Sequence, residues 1–226
     1  FTLKVFAGGT LGRDPSQQAK IVADGIADMA LVVPSRSPGL YPDFAVFGLP
    51  GFATSTEEGT QAAMKLFKDG KLGTPDNTKT ISIWTSDPYM VHSTSAISKL
   101  DDLKNLKIRV AGSTQTQTLL TLGANPQAVK SSEMAESISR GVIDGALSDW
   151  AVAAVFKLPE VTDSIYNIPL GVLPFTIAMN NDTYNKLSEQ GKAVIVAAGE
   201  EWARRGSAHN TATRERMRAA LEEKED

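Results

Sequence analysis

One arginine stands inside an apolar strand, where its charge needs a specific partner. Arg109 lies in the run Leu-Lys-Ile-Arg-Val at residues 106–110, directly before a Gly-Ser-Thr turn. Side chains of a strand alternate between two faces, so Lys107 and Arg109 share one face, opposite Ile108. A guanidinium in this place either pairs with an internal acid or binds a carboxylate ligand through its planar fork, and the sequence leaves both open.

Further candidates lie near the predicted end of a strand at 142–147. Trp150 belongs to the segment Leu-Ser-Asp-Trp that follows this strand, and ligands of α/β proteins bind beyond the carboxyl ends of parallel strands. A core aromatic at the start of a helix fits Trp150 equally well. Tyr89 and His92 lie in a segment that we expect to cross between halves of the chain, and His92 is more typical of a core or surface residue.

Two more residues are candidates on weaker grounds. Arg36 lies in a Pro/Gly/Ser-rich loop at 34–42, where an arginine is usually solvated. Phe175 lies in an apolar segment broken by Pro169 and Pro174, where a phenylalanine is usually part of the core.

No catalytic signature is present. The chain has no phosphate-binding glycine loop, no nucleophile elbow and no metalloprotease motif. Asp149, His92 and Glu133 are the residues from which a general base would have to come, and none has an orienting partner in the sequence. We therefore predict a protein that is not an enzyme.

Composition excludes several classes. The 226 residues include no cysteine and two histidines, which excludes thiolate metal sites, disulfides and a cysteine nucleophile, and we predict no metal and no cofactor. The net charge of -3 argues against a nucleic-acid partner. No apolar run approaches the ~18 residues of a membrane span, so direct membrane insertion is not expected.

Strands and helices alternate along the chain, which predicts an α/β fold with a parallel-leaning sheet. The predicted strands are 3–6, 28–33, 80–85, 106–110 and 142–147, and the predicted helices are 15–24, 56–69, 113–122, 132–140 and 149–156. Residues 183–223 read as one long helix or two abutting ones, with Gly191, Gly199 and Gly206 as weak points. The strand-turn-helix pattern near residue 3 is repeated near residue 106, which indicates two lobes with a central cleft.

The chain resembles the solute-binding proteins of TRAP transporters, of the DctP type, from about residue 3 to about residue 200. The stretch from 102 to 145 carries the specific part of the resemblance, in the segments Asp102-Leu103-Lys104-x-Leu106-Lys107-Ile108-Arg109-Val110, Leu122-Gly123-Ala124-Asn125-Pro126 and Arg140-Gly141-Val142-Ile143-Asp144-Gly145. Segments at both ends of the family's pattern are expected to be missing here.

The resemblance implies a periplasmic-binding-protein-like fold with hinge strands and a long C-terminal helix that spans both lobes. We expect residues 1–85 plus 176–226 to form the first lobe and 86–175 the second. The implied function is that of a periplasmic receptor, which captures an organic acid, closes around it and delivers it to the membrane permease subunits of the transporter.

The same resemblance implies roles for the candidate residues. Arg109 takes the position of the family's carboxylate clamp, and Arg36 that of a second, ligand-contacting arginine. Tyr89 stands where certain members have a further arginine. Ser148 and Phe175 stand where sialic-acid binders have polar residues. Together with Trp150, these residues make a hydrophobic or aromatic carboxylate the expected ligand, and Asp149 and His92 complete the predicted ligand-binding set.

Two other functions stay open from the residues alone. The first is an enzyme acting on small carboxylic acids on a similar two-lobed scaffold, which turnover of a bound acid would reveal. The second is a ligand-sensing domain, which would require a DNA-binding segment.

Overall fold

The chain divides into two compact units in a computed structural model, which describes residues 2–225 and, for residues 218 and 220–225, the backbone alone. Unit 1 comprises Phe1–Phe44, Thr60–Trp84 and Pro174–Gly206, and unit 2 comprises Ala45–Gly59, Thr85–Leu173 and Ser207–Asp226. The two lobes expected from the sequence, residues 1–85 plus 176–226 and residues 86–175, stay a prediction.

Unit 1 is built on a three-stranded sheet with the order β1-β8-β2. Strands β1 (Met29–Val32) and β8 (Pro174–Asn180) pair antiparallel, and β2 runs over Thr78–Thr85. The helices that contribute to this unit are α1 (Gln18–Ala23), most of α2 (Thr56–Lys68), α6 (Asn181–Asn185) and the first half of α7 (Glu189–Glu225).

A buried asparagine connects the helices of unit 1. The Asn180 amide donates to the carbonyl of Val22 at 2.9 Å, at the end of α1. Its side-chain oxygen accepts from the backbone N–H of Asp182 at 2.9 Å and of Thr183 at 3.2 Å, which caps α6. One side chain therefore satisfies backbone groups at two helix ends.

Unit 2 contains a five-stranded mixed sheet with the order β5-β4-β6-β3-β7. Strand β4 pairs parallel with β5 and β6, and β3 pairs antiparallel with β6 and β7. The strands are β3 (Met90–Ser93), β4 (Lys107–Val110), β5 (Asn125–Ala128), β6 (Gly145–Ser148) and β7 (Ser164–Tyr166). The helices are α3 (Ser113–Thr121), α4 (Met134–Ser139) and α5 (Trp150–Val155).

Buried apolar side chains hold α4 and α5 to this sheet. They form one cluster of Met134, Ile138, Ile143, Ala146, Ala153 and Leu158. Ala146, on the central strand β6, belongs to this cluster. The cluster therefore covers the face of the sheet to which the Ala146 side chain points.

Several sequence predictions need correction. Residues 3–6 are not a strand: Leu3 is 71% and Val5 83% exposed, and the segment forms no ladder with a described strand. The alternation of apolar residues is present there, but a strand also requires a partner. The segment expected only to cross between halves contains β3, and the expected parallel-leaning sheet is mixed in unit 2.

The long C-terminal helix is present, and the glycines do not interrupt it. A short break after α6 is followed by α7, and the Ser188 hydroxyl accepts from the backbone N–H of Gly191 at 3.1 Å at its start. Gly206 lies against the Trp84 ring, where an added Cβ would be 3.2 Å away. Gly199 and Gly206 permit close packing of the helix, and that packing offsets their poor helix propensity.

We predict that Gly199→Ala destabilises the protein, because the added methyl group would overlap the backbone carbonyl of Ile81 in β2. Helix propensity favours alanine by about 1 kcal/mol, so overpacking against a backbone atom, typically 1–3 kcal/mol, should leave a net loss. The free energy of unfolding from denaturant titration checks this.

Gly191→Ala is the matched control in the same helix. An added Cβ there meets its nearest neighbour at an ordinary 3.4 Å, so this variant should be as stable as the wild type or more stable. Equal stability of the Gly199→Ala and Gly191→Ala proteins would contradict the proposed close approach.

Candidate functional site

The Arg109 side chain is buried in unit 2 and oriented by two neutral oxygens. It is 2% exposed, whereas Lys107, the first residue of the same strand, is exposed. Nε donates to the carbonyl of Val129 at 2.9 Å, and Nη2 donates to the hydroxyl of Ser131, also at 2.9 Å. Both acceptors follow the end of β5, so the guanidinium lies at the carboxyl end of the parallel strands, the region where α/β sheets bind ligands.

These two hydrogen bonds fix the orientation of the fork. Nε and Nη2 belong to the same edge of the guanidinium, and the protein uses that edge. The sequence predicted the arginine and missed Ser131. Only its place just beyond β5 could have indicated the contact.

The end of β6 carries three consecutive predicted site residues. Ser148 and Asp149 are each 1% exposed, and Trp150 is 5% exposed. Oδ1 of Asp149 accepts from the backbone N–H of Val152 at 2.9 Å and caps α5. This cap places Trp150 in the first turn of the helix, a position that both sequence interpretations of this residue allow.

Strand β3 brings Tyr89 and His92 to the same part of the sheet. Met90 lies opposite Ser148, so Tyr89 precedes β3 at the end where Asp149 leaves β6. His92 lies opposite Ala146, and its ring packs edge-to-face on Trp150, with 6.1 Å between ring centroids. Ala146 is also the partner of Arg109 in the parallel pair of β4 and β6.

Burial shifts the pKa values of two of these groups in opposite senses. Burial and the nearby charge of Asp87 raise the pKa of Asp149 from 3.8 to about 6, against the lowering effect of the Val152 N–H. Burial lowers the pKa of His92 from 6.5 to about 4, against a smaller opposing effect of the Ser148 backbone. At neutral pH the imidazole is therefore neutral and the carboxyl is ionised.

Six of the eight predicted ligand-binding residues lie in unit 2, and two lie in unit 1. Phe175 is half-buried on β8 and stacks on Trp84 at 5.5 Å between centroids and 21° between planes. Arg36 is exposed in a short 3-10 turn, Pro34–Arg36. The structure thus places Arg109, Trp150, Tyr89, Ser148, Asp149 and His92 in the five-stranded sheet of unit 2 or next to the ends of its strands.

Two features are absent from the described part of the chain. Between residues 2 and 225, no three His, Asp or Glu side chains are grouped so that they could hold a metal ion. None of the helices in that range combines the length and apolar character of a membrane span.

A family model matches the chain over its whole length. The family is DctP, described as bacterial extracellular solute-binding protein, family 7, and the match covers residues 1–226. The chain is also similar to the protein YiiZ of Salmonella typhimurium, with 26% identity over 208 residues, covering 87% of this chain and 61% of that protein. It therefore spans about three fifths of the length of this curated relative.

Two solved structures are similar at 27% identity. One is a marine metagenome TRAP solute-binding protein specific for aromatic acid ligands, in complex with 3-hydroxybenzoate, with a TM-score of 0.82 covering 93% of this chain and 68% of that one. The other is a TRAP solute-binding protein from Rhodoferax ferrireducens with copurified benzoate, with a TM-score of 0.75 covering 93% of this chain and 69% of that one.

We predict that Asp149→Asn stabilises the protein at pH 7.5 and has little effect near pH 4. A raised pKa means that the folded state favours the protonated carboxyl, so its stabilising contribution is present below pH 4 and lost as the pH rises through 6. The shift corresponds to about 3 kcal/mol, and asparagine keeps the cap on Val152. Unfolding free energies across this pH range provide the measurement.

Asp102→Asn supplies a control of opposite sign. Hydrogen bonds from Ser98 lower the pKa of this exposed carboxylate, so its contribution is present at neutral pH and lost on acidification. Replacement of Asp102 by asparagine should therefore destabilise the folded protein at pH 7.5. If the Asp149→Asn protein were less stable than the wild type at pH 7.5, burial of the ionised Asp149 carboxylate would not be unfavourable, contrary to the description above.

Proposed function

We propose that this chain, which belongs to the DctP family of bacterial extracellular solute-binding proteins, captures an organic acid at Arg109 and passes it to the membrane subunits of a TRAP transporter. The family consists of solute-binding receptors and is periplasmic. The sequence-based expectation of a cleft between two lobes stays a prediction.

The buried guanidinium of Arg109 is the observation that carries this proposal. This guanidinium is 2% exposed, is held by the Val129 carbonyl and the Ser131 hydroxyl, and lies at the carboxyl end of the parallel strands, where α/β sheets bind ligands. A carboxylate would bind it through charge-assisted hydrogen bonds. Charge-assisted hydrogen bonds of this kind contribute roughly 1.5–3 kcal/mol each.

The surroundings of Arg109 favour a carboxylate with an apolar or aromatic body. Trp150 and Tyr89 are large aromatic residues at the same end of the sheet, and Ser148 is small. Two relatives of known structure bind aromatic acids, 3-hydroxybenzoate and benzoate. We therefore propose a hydrophobic or aromatic carboxylate as the ligand. The sequence-based assignment of Arg36 and Phe175 as further ligand contacts stays a prediction.

We predict that Arg109→Gln lowers the affinity for carboxylates at least about 100-fold, since two charge-assisted hydrogen bonds are lost. Arg109→Lys keeps the charge without the planar fork and should lose less affinity. Isothermal titration calorimetry against benzoate, phenylacetate and short aliphatic acids is the measurement. A thermal shift panel identifies binders beforehand, because a ligand at 100 times its Kd adds about 2.7 kcal/mol of stability.

Arg140→Ala is the control for loss of an arginine from the same unit. Arg140 is exposed and pairs with Glu136 at 2.7 Å, so its removal should leave the Kd unchanged. Undiminished carboxylate binding by a folded Arg109→Gln protein would refute the proposed clamp.

We also predict that Ser131→Ala weakens carboxylate binding about three- to tenfold, because Arg109 loses one of the acceptors that orient it. Ser131→Thr keeps the hydroxyl and should restore the affinity. The exposed neighbour Ser132, changed to alanine, serves as the control. A lower unfolding free energy with an unchanged Kd would show that Ser131 stabilises the fold without positioning the arginine.

A further inference from the structure

An ion pair within unit 2 joins the C-terminal half of α7 to a buried carboxylate that precedes β3. Nη1 of Arg214 lies 2.8 Å from Oδ1 of Asp87. The side chain of the aspartate is 1% exposed and that of the arginine 22%, so solvent ions screen this pair poorly. An ionised carboxylate buried to this degree requires an opposite charge beside it, and Arg214 supplies that charge.

Asp87 belongs to the surroundings of the candidate site. Tyr89 follows it by two residues, directly before β3. After burial, the negative charge of Asp87 is among the causes that raise the pKa of Asp149, so the two carboxylates are electrostatically coupled. A charge that acts on Asp149 also acts on an anion bound beside it, at the carboxyl end of the parallel strands.

The C-terminal half of α7 has further polar contacts in unit 2 besides Arg214. Nδ2 of Asn210 donates to the backbone carbonyl of Thr85 at 3.2 Å. The hydroxyl of Thr211 donates to the carboxylate of Glu57, in the first turn of α2. These contacts hold the helix in place when Arg214 is replaced, so the charge of the arginine can be removed without detaching the helix.

We infer that Arg214 is a positioning residue for carboxylate binding that acts through Asp87: it neutralises this aspartate, so that an anion held by Arg109 is not repelled. This inference rests on the proposed function, since it concerns the affinity of the same site. At an effective dielectric constant of about 20, a unit charge about 10 Å away changes the affinity for an anion by roughly tenfold. The long C-terminal helix thereby contributes to ligand affinity without a ligand contact at Arg214.

The test is a double-mutant cycle on the ion pair, read out as the Kd for benzoate, phenylacetate and propionate by calorimetry between pH 6 and pH 9. The cycle consists of the wild type, Arg214→Gln, Asp87→Asn and the double variant. Arg214→Lys keeps the charge. Arg216→Gln is the matched control on the same helix, since Arg216 is exposed and donates to Ala212 and Thr213 of α7 itself.

We expect Arg214→Gln to bind the acids about tenfold more weakly than the wild type at pH 9, and the difference should shrink as the pH falls and Asp87 becomes protonated. Burial raises the pKa of Asp87 and the charge of Arg214 opposes that rise, so loss of the arginine moves this protonation to higher pH. Glu57 on α2 and Asp149 at the end of β6 are also coupled to Asp87, and the wild type and the variant share both.

The other variants separate neutralisation from a purely structural role of the pair. Asp87→Asn leaves the arginine charge uncompensated and should bind the acids about threefold more tightly than the wild type. The double variant should return to within about twofold of the wild type at every pH. Arg214→Lys should lose no more than about threefold in affinity, and Arg216→Gln should match the wild type.

Three results would overturn the inference and leave the carboxylate receptor intact. They are an unchanged Kd in Arg214→Gln, a loss of affinity in this variant that does not depend on pH, and binding by Asp87→Asn that is no tighter than that of the wild type. The last result decides the question if Arg214→Gln does not fold, and the first two decide it if Asp87→Asn does not. If the wild type binds none of the three acids, the proposed function itself fails.

Discussion

The hydrogen bonds from Arg109 to the Val129 carbonyl and the Ser131 hydroxyl are the constraint on which the proposed site depends. An arginine side chain has many rotamers, and its planar fork recognises a carboxylate only when its orientation is fixed. Burial removes most of those rotamers, and the two acceptors select one edge of the guanidinium. The parallel pairing of β4 with β5 makes this possible, because it brings the segment after β5 alongside the end of β4.

The same sheet explains why residues distant in sequence belong to one site. Strand β6 pairs parallel with β4 on one side and antiparallel with β3 on the other, so Ala146 is a common neighbour of Arg109 and His92. The Asp149 cap then turns the chain into α5 and sets Trp150 against the His92 ring. An apolar cluster beneath α4 and α5 supports this arrangement.

Burial has opposite consequences for Asp149 and His92, and these consequences offset each other. As the pH falls from 6.5 toward 4, the neutral histidine loses its stabilising contribution, while the aspartate regains one as it becomes protonated. The folded protein can therefore keep two unfavourably buried groups without a steep dependence of stability on pH in this range. Such groups are common where a protein binds ligands, because folding alone would favour apolar residues there.

The sequence by itself determined the α/β class, the long C-terminal helix, the family and the arginine within an apolar strand, because these depend on local patterns that neighbouring residues set. It failed at residues 3–6, where alternation was present without a partner strand, and at Gly199 and Gly206, whose role is close packing. Only the tertiary structure decided that Ser131 orients Arg109 and that His92 and Arg109 both lie opposite Ala146. Strand order and register bring together residues that no local pattern connects.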